Sequence, residues 1–193
     1  MHKHSFCVSI LFILRKGEIM RVFLVAGKAG SGKGEVAKLI KEYYIYKLES
    51  CVITEYSKYL KNFVKELTDW DGSSSNKPRK ALQEYGDKIR AVDEKYFINN
   101  MIDDLKVFET LVDNVVIADV RFPGEIEDIK LNFDEVYSIY VENQFSESTL
   151  TIEEQSHKTE TALETYEEFD YILANDKIDV LKDKVFKYLE GIK

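Results

Sequence analysis

The apolar positions of the chain fall into two patterns, short continuous runs and longer stretches with helical spacing. The short runs are rich in β-branched residues, which is typical of buried strands. They predict five strands, at 21–26, 51–54, 115–117, 135–142 and 171–176. The run at 115–117 is apolar at every position, as expected of a strand covered on both faces of a parallel sheet.

Between the predicted strands, apolar residues recur every three or four positions, which indicates amphipathic helices. The clearest helix begins at Lys33, and its apolar face consists of Val36, Leu39, Ile40 and Tyr43. Further helices are predicted at 56–68, 79–92, 94–110, 124–132 and 177–191. The same spacing predicts inward-facing positions at Leu60, Phe63, Val64 and Leu67, and at Val180, Leu181, Val185 and Leu189.

The alternation of strands and helices predicts one α/β domain over 20–193, with helices on both faces of a five-stranded parallel sheet. Two segments interrupt the periodicity. Residues 68–78 contain Gly, a serine run and Pro, and are predicted to form a loop. Residues 143–168 are polar, acidic and weakly periodic, and we expect them to form a mobile flap.

Composition restricts the partners of the protein. With 193 residues and a net charge of −8, the chain lacks the basic balance expected of a nucleic-acid-binding protein. Small phosphorylated ligands are compatible with this charge, because a local basic pocket does not require a basic protein. Cys7 and Cys51 match no metal-binding or redox spacing. We therefore expect a cytoplasmic protein, monomeric or homodimeric, in a reducing compartment.

Residues 1–19 form an N-terminal extension of this domain. They have a basic start and a short apolar run, which resembles a signal peptide, but no small-residue cleavage site follows. The run is far shorter than the roughly 20 apolar residues that a membrane span needs, so no membrane association is expected. Alternatively, translation begins at Met20. No function is placed in this segment.

The most specific motif is GKAGSGKG at 27–34, which fits the Walker A pattern G-x-x-x-x-G-K. It follows a predicted buried strand and opens a predicted helix, the context that a phosphate-binding loop (P-loop) requires. Glycines let successive N–H groups point at phosphate, and the helix N-terminus adds partial positive charge. Lys33 is expected to reach the β- and γ-phosphates. The predicted nucleotide contacts are Gly27, Lys28, Ala29, Gly30, Ser31, Gly32, Lys33, Gly34 and Glu35.

Gly34 stands where such loops usually have a Ser or Thr whose hydroxyl binds Mg²⁺. Because Mg²⁺ often keeps several waters and uses one or two carboxylates, we predict that Asp119 holds the ion, through water. Asp119 ends the run VVIAD, at the sheet edge where ligands of such folds bind. Arg121, two residues further on, could clamp a phosphate. The alternatives are that Asp119 caps the following segment and that Arg121 is a surface charge.

Arginines are scarce in the chain, and two of them lie between the second and third predicted strands. There, Arg79 and Arg90 could hold the phosphate of a second substrate, because the guanidinium group is a planar phosphate clamp. Solvated helix charge is the alternative for both. Aromatic side chains of the same region could stack on a base or belong to the core, namely Tyr56, Tyr59, Tyr85 and Tyr96.

The order of these motifs resembles that of P-loop kinases of small phosphorylated metabolites, particularly phage-type deoxynucleoside monophosphate kinases and animal-type phosphomevalonate kinases. The resemblance covers residues 21–190. The similar segments are YSKYLK at 56–61 after the second strand, RKALQEYGDKIR at 79–90 with its aromatic-Gly-x-x-x-Arg pattern, ADVR at 118–121, SHKTETAL at 156–163 with the His-x-x-Glu of the lid, and LAND at 173–176 before the adenine loop.

This resemblance implies a three-layer P-loop fold like that of nucleoside monophosphate kinases, with a helical acceptor-binding region at 56–112 and a lid at 143–168. It implies ATP and Mg²⁺ as cofactors. The residues it adds are Ser57, Lys61, His157 and Lys158 for the substrate and Asn175 for the nucleotide, and it places Arg90 on a substrate-binding arginine. Two features depart from the family. Gly34 stands where the family usually has Asp, and the lid has few positively charged side chains but several acidic ones, namely Glu147, Glu153, Glu154 and Glu160.

The predicted activity is transfer of the γ-phosphoryl group of ATP to the phosphate of a small acceptor, foremost a deoxynucleoside or nucleoside monophosphate. Lys33, Asp119 and Arg121 are the predicted catalytic residues. A kinase for phosphomevalonate or dephospho-coenzyme A is one alternative. A non-catalytic ATP-binding sensor is another, suggested by Gly34 and the acidic lid. A GTPase is not expected, because the chain has no N-K-x-D guanine motif.

Overall fold

The computed structural model describes residues 19–73, 75–142 and 150–192 of the chain. The described strands are β1 (Arg21–Ala26), β2 (Cys51–Thr54), β3 (Asn114–Val120), β4 (Glu135–Glu142) and β5 (Tyr171–Ala174). The described helices are α1 (Lys33–Tyr46), α2 (Lys58–Leu67), α3 (Arg79–Val92), α4 (Tyr96–Phe108), α5 (Pro123–Asn132), α6 (Ile152–Ser156), α7 (Lys158–Thr161) and α8 (Ile178–Glu190). Each of the five predicted strands is present.

The strands form one parallel sheet in the order β2-β3-β1-β4-β5. Strand β1 lies at the centre, where Val22 pairs with Val115 of β3 and with Val136 of β4. Because all strands run the same way, the segments that follow them meet at one edge of the sheet. The chain leaves β1 for β2 on one side and returns to β4 on the other, and this change of direction opens a crevice at that edge.

The sheet is covered on both faces, as the continuous apolar runs predict. Val22 and Leu24 of β1 point into a core formed with α2, α4 and α5, whereas Phe23 and Val25 point into a second core formed with α1 and α8. All four side chains are fully buried. This doubly covered strand holds the Walker A segment rigidly at its carboxyl end.

Three side chains that the helical spacing assigns to the interior are instead exposed. Phe63 and Leu67 of α2 are 42% and 64% exposed, because only Leu60 and Val64 of that helix reach the core. The two exposed side chains line an apolar surface groove between α2 and α3. Val180 is 42% exposed because Leu181, the next residue, takes the inward position on α8.

The segment 150–168 contains more structure than its sequence pattern predicts. It forms the two short helices α6 and α7 and buries Leu163 in the core. Helices of four or five residues are too short to give a periodic signal, which explains why the sequence pattern missed them. The remaining part of the predicted flap, 143–149, lies outside the described residues.

The N-terminal residues 1–18 also lie outside the described residues, so both interpretations of that segment stay predictions. Within the parts of the chain that the structure describes, no helix combines the length and apolar character needed to cross a membrane.

Candidate active site

The Walker A segment forms a tight loop between β1 and α1. Gly27 and Gly32 have φ angles of 140° and 98°, in the region that side chains rarely adopt. A Cβ atom at Gly27 would lie 2.5 Å from the carbonyl oxygen of Val141, and one at Gly32 would lie 2.8 Å from Nδ2 of Asn175. Both positions therefore require glycine, for conformation and for space. A Cβ at Gly34, in contrast, would meet no atom within 4 Å.

Lys33 lies inside this loop rather than on its surface. Its Nζ donates hydrogen bonds of 2.7 Å to the carbonyl oxygens of Gly27 and Lys28, and the residue is only 9% exposed. Burial, followed by the positive charge of Arg121, lowers the pKa of Lys33 to about 7. The two hydrogen bonds require only two N–H donors, so the neutral amine can also make both of them.

Asp119 ties the carboxyl end of β3 to the turn that follows β2. Its Oδ1 accepts a hydrogen bond of 2.7 Å from the backbone N–H of Tyr56, and its Oδ2 accepts one of 3.0 Å from the N–H of Ser57. The hydroxyl of Ser57 also donates to Oδ2. Asp119 therefore holds the turn that carries Ser57, a tie between residues far apart in sequence that the sequence analysis missed.

Arg121 faces the loop together with a carboxylate from the predicted lid. Its Nη1 lies 2.7 Å from Oε1 of Glu160, while Oε2 of the same carboxylate accepts a 2.8 Å hydrogen bond from the N–H of Ala29. The Glu160 side chain is 9% exposed. A loop amide and a guanidinium group thus converge on one anion, which is the arrangement that binds phosphate oxygens.

Glu125 supports this side of the site from beneath. Its Oε2 accepts hydrogen bonds of 2.6 Å and 3.1 Å from the N–H groups of Arg121 and Phe122, and burial raises the pKa of Glu125 to about 7. Glu125 occupies the third position of α5, where acidic residues commonly reach back to free N–H groups. That pattern is readable from the sequence, and we did not predict a role for Glu125.

Arg90 is fixed in the site by two aromatic rings. Its guanidinium carbon lies 4.9 Å from the ring centre of Phe97 and 4.6 Å from that of Phe122. Asp87, 3.5 Å away, is its ion-pair partner. Stacking on both rings holds the planar group in a defined orientation.

A single cavity of about 510 Å³ connects these groups. Its lining includes the predicted residues Ala29, Gly30, Ser31, Gly32, Lys33, Gly34, Ser57, Lys61, Arg79, Arg90, Asp119 and Arg121. It also includes side chains that the sequence analysis did not select: Glu55, Gln83, Lys77, Glu125 and Glu160. Of the four tyrosines considered as base-stacking groups, Tyr56 is the one among these lining residues.

Positive charge accumulates on the part of the cavity wall that is formed by α2, α3 and the segment before α3. Lys61, Arg79 and Arg90 are joined there by Lys77, which lies just before Pro78. Burial, together with the charges of Lys61 and Arg79, lowers the pKa of Lys77. Lys61 contacts Glu55, and this carboxylate also faces Lys77. The remaining excess of positive charge suits an anionic ligand.

Asn175, Glu35 and Lys28, also predicted as nucleotide contacts, are not among the described lining residues of the cavity. Asn175 donates a 2.9 Å hydrogen bond from Nδ2 to the carbonyl oxygen of Ser31, so it supports the phosphate loop. Glu35 pairs with Lys38 on the surface of α1, and Lys28 pairs with Glu164.

His157 and Lys158 are not among the described lining residues of the cavity. Their ring Nε2 and Nζ each lie 3.1 Å from the carboxylate of Asp87 on α3. They therefore attach the predicted lid to the same helix that carries Arg79 and Arg90.

No protein-family model and no curated protein matches the sequence. Solved structures match the fold. An APS kinase from Mycobacterium tuberculosis, in complex with AMPPNP and APS, superposes with a TM-score of 0.51 at 14% identity, over 90% of this chain and 99% of its own. A sugar kinase from a Janibacter species superposes with a TM-score of 0.53 at 9% identity, over 90% of this chain and 96% of its own.

The chain has the α/β fold of P-loop kinases. This confirms the predicted fold class, a five-stranded parallel sheet flanked by helices with the phosphate loop after its central strand. The narrower resemblance to deoxynucleoside monophosphate and phosphomevalonate kinases stays a prediction, as do the roles of the site residues.

Proposed function

We propose that the protein is an ATP-dependent kinase that transfers the γ-phosphoryl group to the phosphate of a small acceptor, a deoxynucleoside or nucleoside monophosphate. One observation carries this proposal: a single cavity joins the Walker A loop to a second group of cations. Lys33 and Arg121 lie at the loop, and Lys77, Arg79 and Arg90 come from α3 and the segment before it. Two groups of cations in one cavity suit two phosphorylated substrates that meet there.

The apolar and amide groups of the cavity wall favour a flat acceptor. Leu60, Leu82 and Phe97 supply apolar surface, and Gln83 supplies an amide with both donor and acceptor groups. A nucleobase offers a flat apolar face and a hydrogen-bonding edge, whereas an aliphatic acid such as phosphomevalonate has no flat face to lie against the apolar wall. These contacts support a nucleotide as the acceptor.

The chemistry asks for positioning and charge compensation rather than proton removal. Near neutral pH the acceptor phosphate is largely a dianion, because its second pKa is about 6. One of its oxygens forms a bond to the γ-phosphorus, the bond from that phosphorus to the β–γ bridging oxygen breaks, and ADP leaves with the electron pair. Lys33 and Arg121 neutralise the transferred group, and Arg79 and Arg90 hold the acceptor.

Mg²⁺ would be held by the phosphates, by water and by Asp119. Among the described residues, no cluster of three or more His, Cys, Asp or Glu side chains could hold a metal ion alone. Oδ1 of Asp119 accepts one hydrogen bond and can accept a second, from a magnesium-bound water. Mg²⁺ supplies charge compensation on the β- and γ-phosphates when it is bound.

The direct test is a phosphotransfer assay with ATP, Mg²⁺ and a panel of acceptors. The panel contains all nucleoside and deoxynucleoside monophosphates, phosphomevalonate, dephospho-coenzyme A and APS. We expect transfer to at least one monophosphate, and loss of that transfer in Lys33→Ala but not in Lys38→Ala, an exposed lysine on the same helix. Binding of ATP without transfer to any acceptor would instead support a sensor.

A further inference from the structure

The phosphate-binding groups of this protein already hold an anion that belongs to the chain. Glu160, in α7 of the predicted lid, bridges the N–H of Ala29 and the guanidinium group of Arg121 at 2.8 Å and 2.7 Å. The carbonyl oxygen of Thr159 lies 3.3 Å from the same guanidinium nitrogen. Both oxygens of the carboxylate are therefore used, each by a group that the phosphate loop or Arg121 would otherwise offer to a nucleotide.

A carboxylate and a phosphate compete for such groups because both present anionic oxygens to the same donors. Glu160 enters the cavity as one of its lining residues and is almost fully buried there. The single N–H of Ala29 cannot donate a linear hydrogen bond to this carboxylate and to a nucleotide phosphate at the same time. One of them must leave before the other can bind.

The surrounding contacts hold the lid in this position from two sides. Glu164, in the turn that follows α7, pairs with Lys28 of the phosphate loop. On the other side, Asp87 of α3 receives both His157 and Lys158 at 3.1 Å. The segment 157–164 thus reaches from α3 to the phosphate loop, and the buried carboxylate of Glu160 lies between these two contacts.

We propose that Glu160 is a built-in competitor for nucleotide phosphate, and that the nucleotide binds by displacing the segment 157–164 from the loop. The proposal rests on the proposed nucleotide-binding function of the Walker A loop. In the free protein Glu160 neutralises Arg121 and satisfies the Ala29 amide. Its removal from the cavity opens the phosphate site, so the affinity for nucleotide is set partly by the cost of detaching the lid.

The test compares the dissociation constant of AMPPNP with Mg²⁺ for the full-length wild-type protein and for Glu160→Gln, by isothermal titration calorimetry. Glutamine keeps the size of the side chain but loses the charge, and hydrogen bonds to charged groups are the stronger ones. We expect AMPPNP to bind about tenfold or more tightly to the variant. Glu167→Gln removes the same charge from an exposed position of the lid segment and should leave the affinity unchanged.

A second variant and a second readout separate the outcomes. Glu160→Asp keeps the charge but is one methylene shorter, so it should also bind AMPPNP more tightly than the wild type. The amide resonance of Ala29, observed by NMR without nucleotide, should shift in Glu160→Gln and not in Glu167→Gln. Equal affinity of wild type and Glu160→Gln, or an unshifted Ala29 amide, overturns the proposal and leaves the kinase function standing. Failure of every protein to bind AMPPNP overturns both.

Discussion

The buried lysine of the Walker A loop should couple the proposed nucleotide binding to uptake of a proton. The pKa of Lys33 is lowered to about 7 by burial and by Arg121, so at pH 8 about nine molecules in ten carry the neutral amine before binding. A phosphate group next to Nζ favours the ammonium form and raises this pKa again. Binding at pH 8 should therefore take up about 0.9 proton per nucleotide.

The sign of the pH dependence follows from this uptake. Above the pKa of free Lys33 the bound state holds more protons than the free state, so the affinity falls as pH rises. The dissociation constant should rise about tenfold per pH unit between pH 8 and pH 9, equivalent to about 1.4 kcal/mol.

The assay is calorimetry of AMPPNP binding at pH 8 in two buffers with different ionisation enthalpies. The slope of the observed heat against the ionisation enthalpy gives the number of protons taken up. Lys33→Arg is the matched control, because its guanidinium group stays charged and should give a slope near zero. A wild-type slope near zero would show that Lys33 is already charged in the free protein, and the reasoning would be refuted.

Three further outcomes are expected. Arg90→Ala should raise the KM for the acceptor about 10- to 100-fold, because a hydrogen bond to a charged group contributes about 1.5–3 kcal/mol. The KM for ATP should stay within about twofold. An unchanged acceptor KM in steady-state kinetics would show that Arg90 does not bind the acceptor. Asp119→Asn should lower kcat about 100-fold or more and raise the Mg²⁺ concentration needed for half-maximal rate. The substitution weakens the hydrogen bonds to Ser57 and the proposed contact with Mg²⁺. Wild-type kinetics would exclude a role of Asp119 in positioning Ser57 and in holding Mg²⁺. Burial raises the pKa of Glu125 from 4.5 to about 7. Between these two pH values Glu125 is more fully protonated in the native state than in the unfolded state. The free energy of unfolding should therefore fall as pH rises through this window. Urea unfolding should show a loss on the order of 3 kcal/mol in the wild type that is missing from Glu125→Gln, and equal pH dependence of the two proteins would contradict the assignment.

The strands and the phosphate loop could be predicted because their signals are local. The continuous apolar run at 115–117 predicted a strand buried on both faces, which is β3. The glycine spacing predicted a phosphate-binding loop, and Gly27 and Gly32 in this loop have positive φ angles that favour glycine. The position of Asp119 followed from a rule about parallel sheets, which holds for any residue at the carboxyl end of a central strand.

The partners of these residues could not be predicted in the same way. Periodicity assigns a residue to a face of its own element, but it does not say which distant element lies opposite. Asp119 binds a turn 62 and 63 positions away, and Glu160 binds an amide 131 positions away. Asn175 shows the same limit, because it was predicted inside a strand at 171–176 and as a nucleotide contact, whereas it follows β5 and donates to the carbonyl oxygen of Ser31.

From the sequence alone, the acidic lid was an argument for a non-catalytic sensor. The structure suggests another interpretation, because two of the lid acids pair with cations of the site, Arg121 and Lys28. Two lid carboxylates, Glu160 and Glu164, lie against Arg121 and the Walker A loop. Their contributions differ in size. Lys28 and Glu164 are about half exposed, and such surface pairs contribute about 0–1 kcal/mol. Glu160 is buried, charge-assisted and shared between an amide and Arg121, so detaching it costs far more than detaching Glu164. The competition between lid and nucleotide is therefore concentrated at one carboxylate, and the remaining lid acids can vary without changing access to the phosphate site.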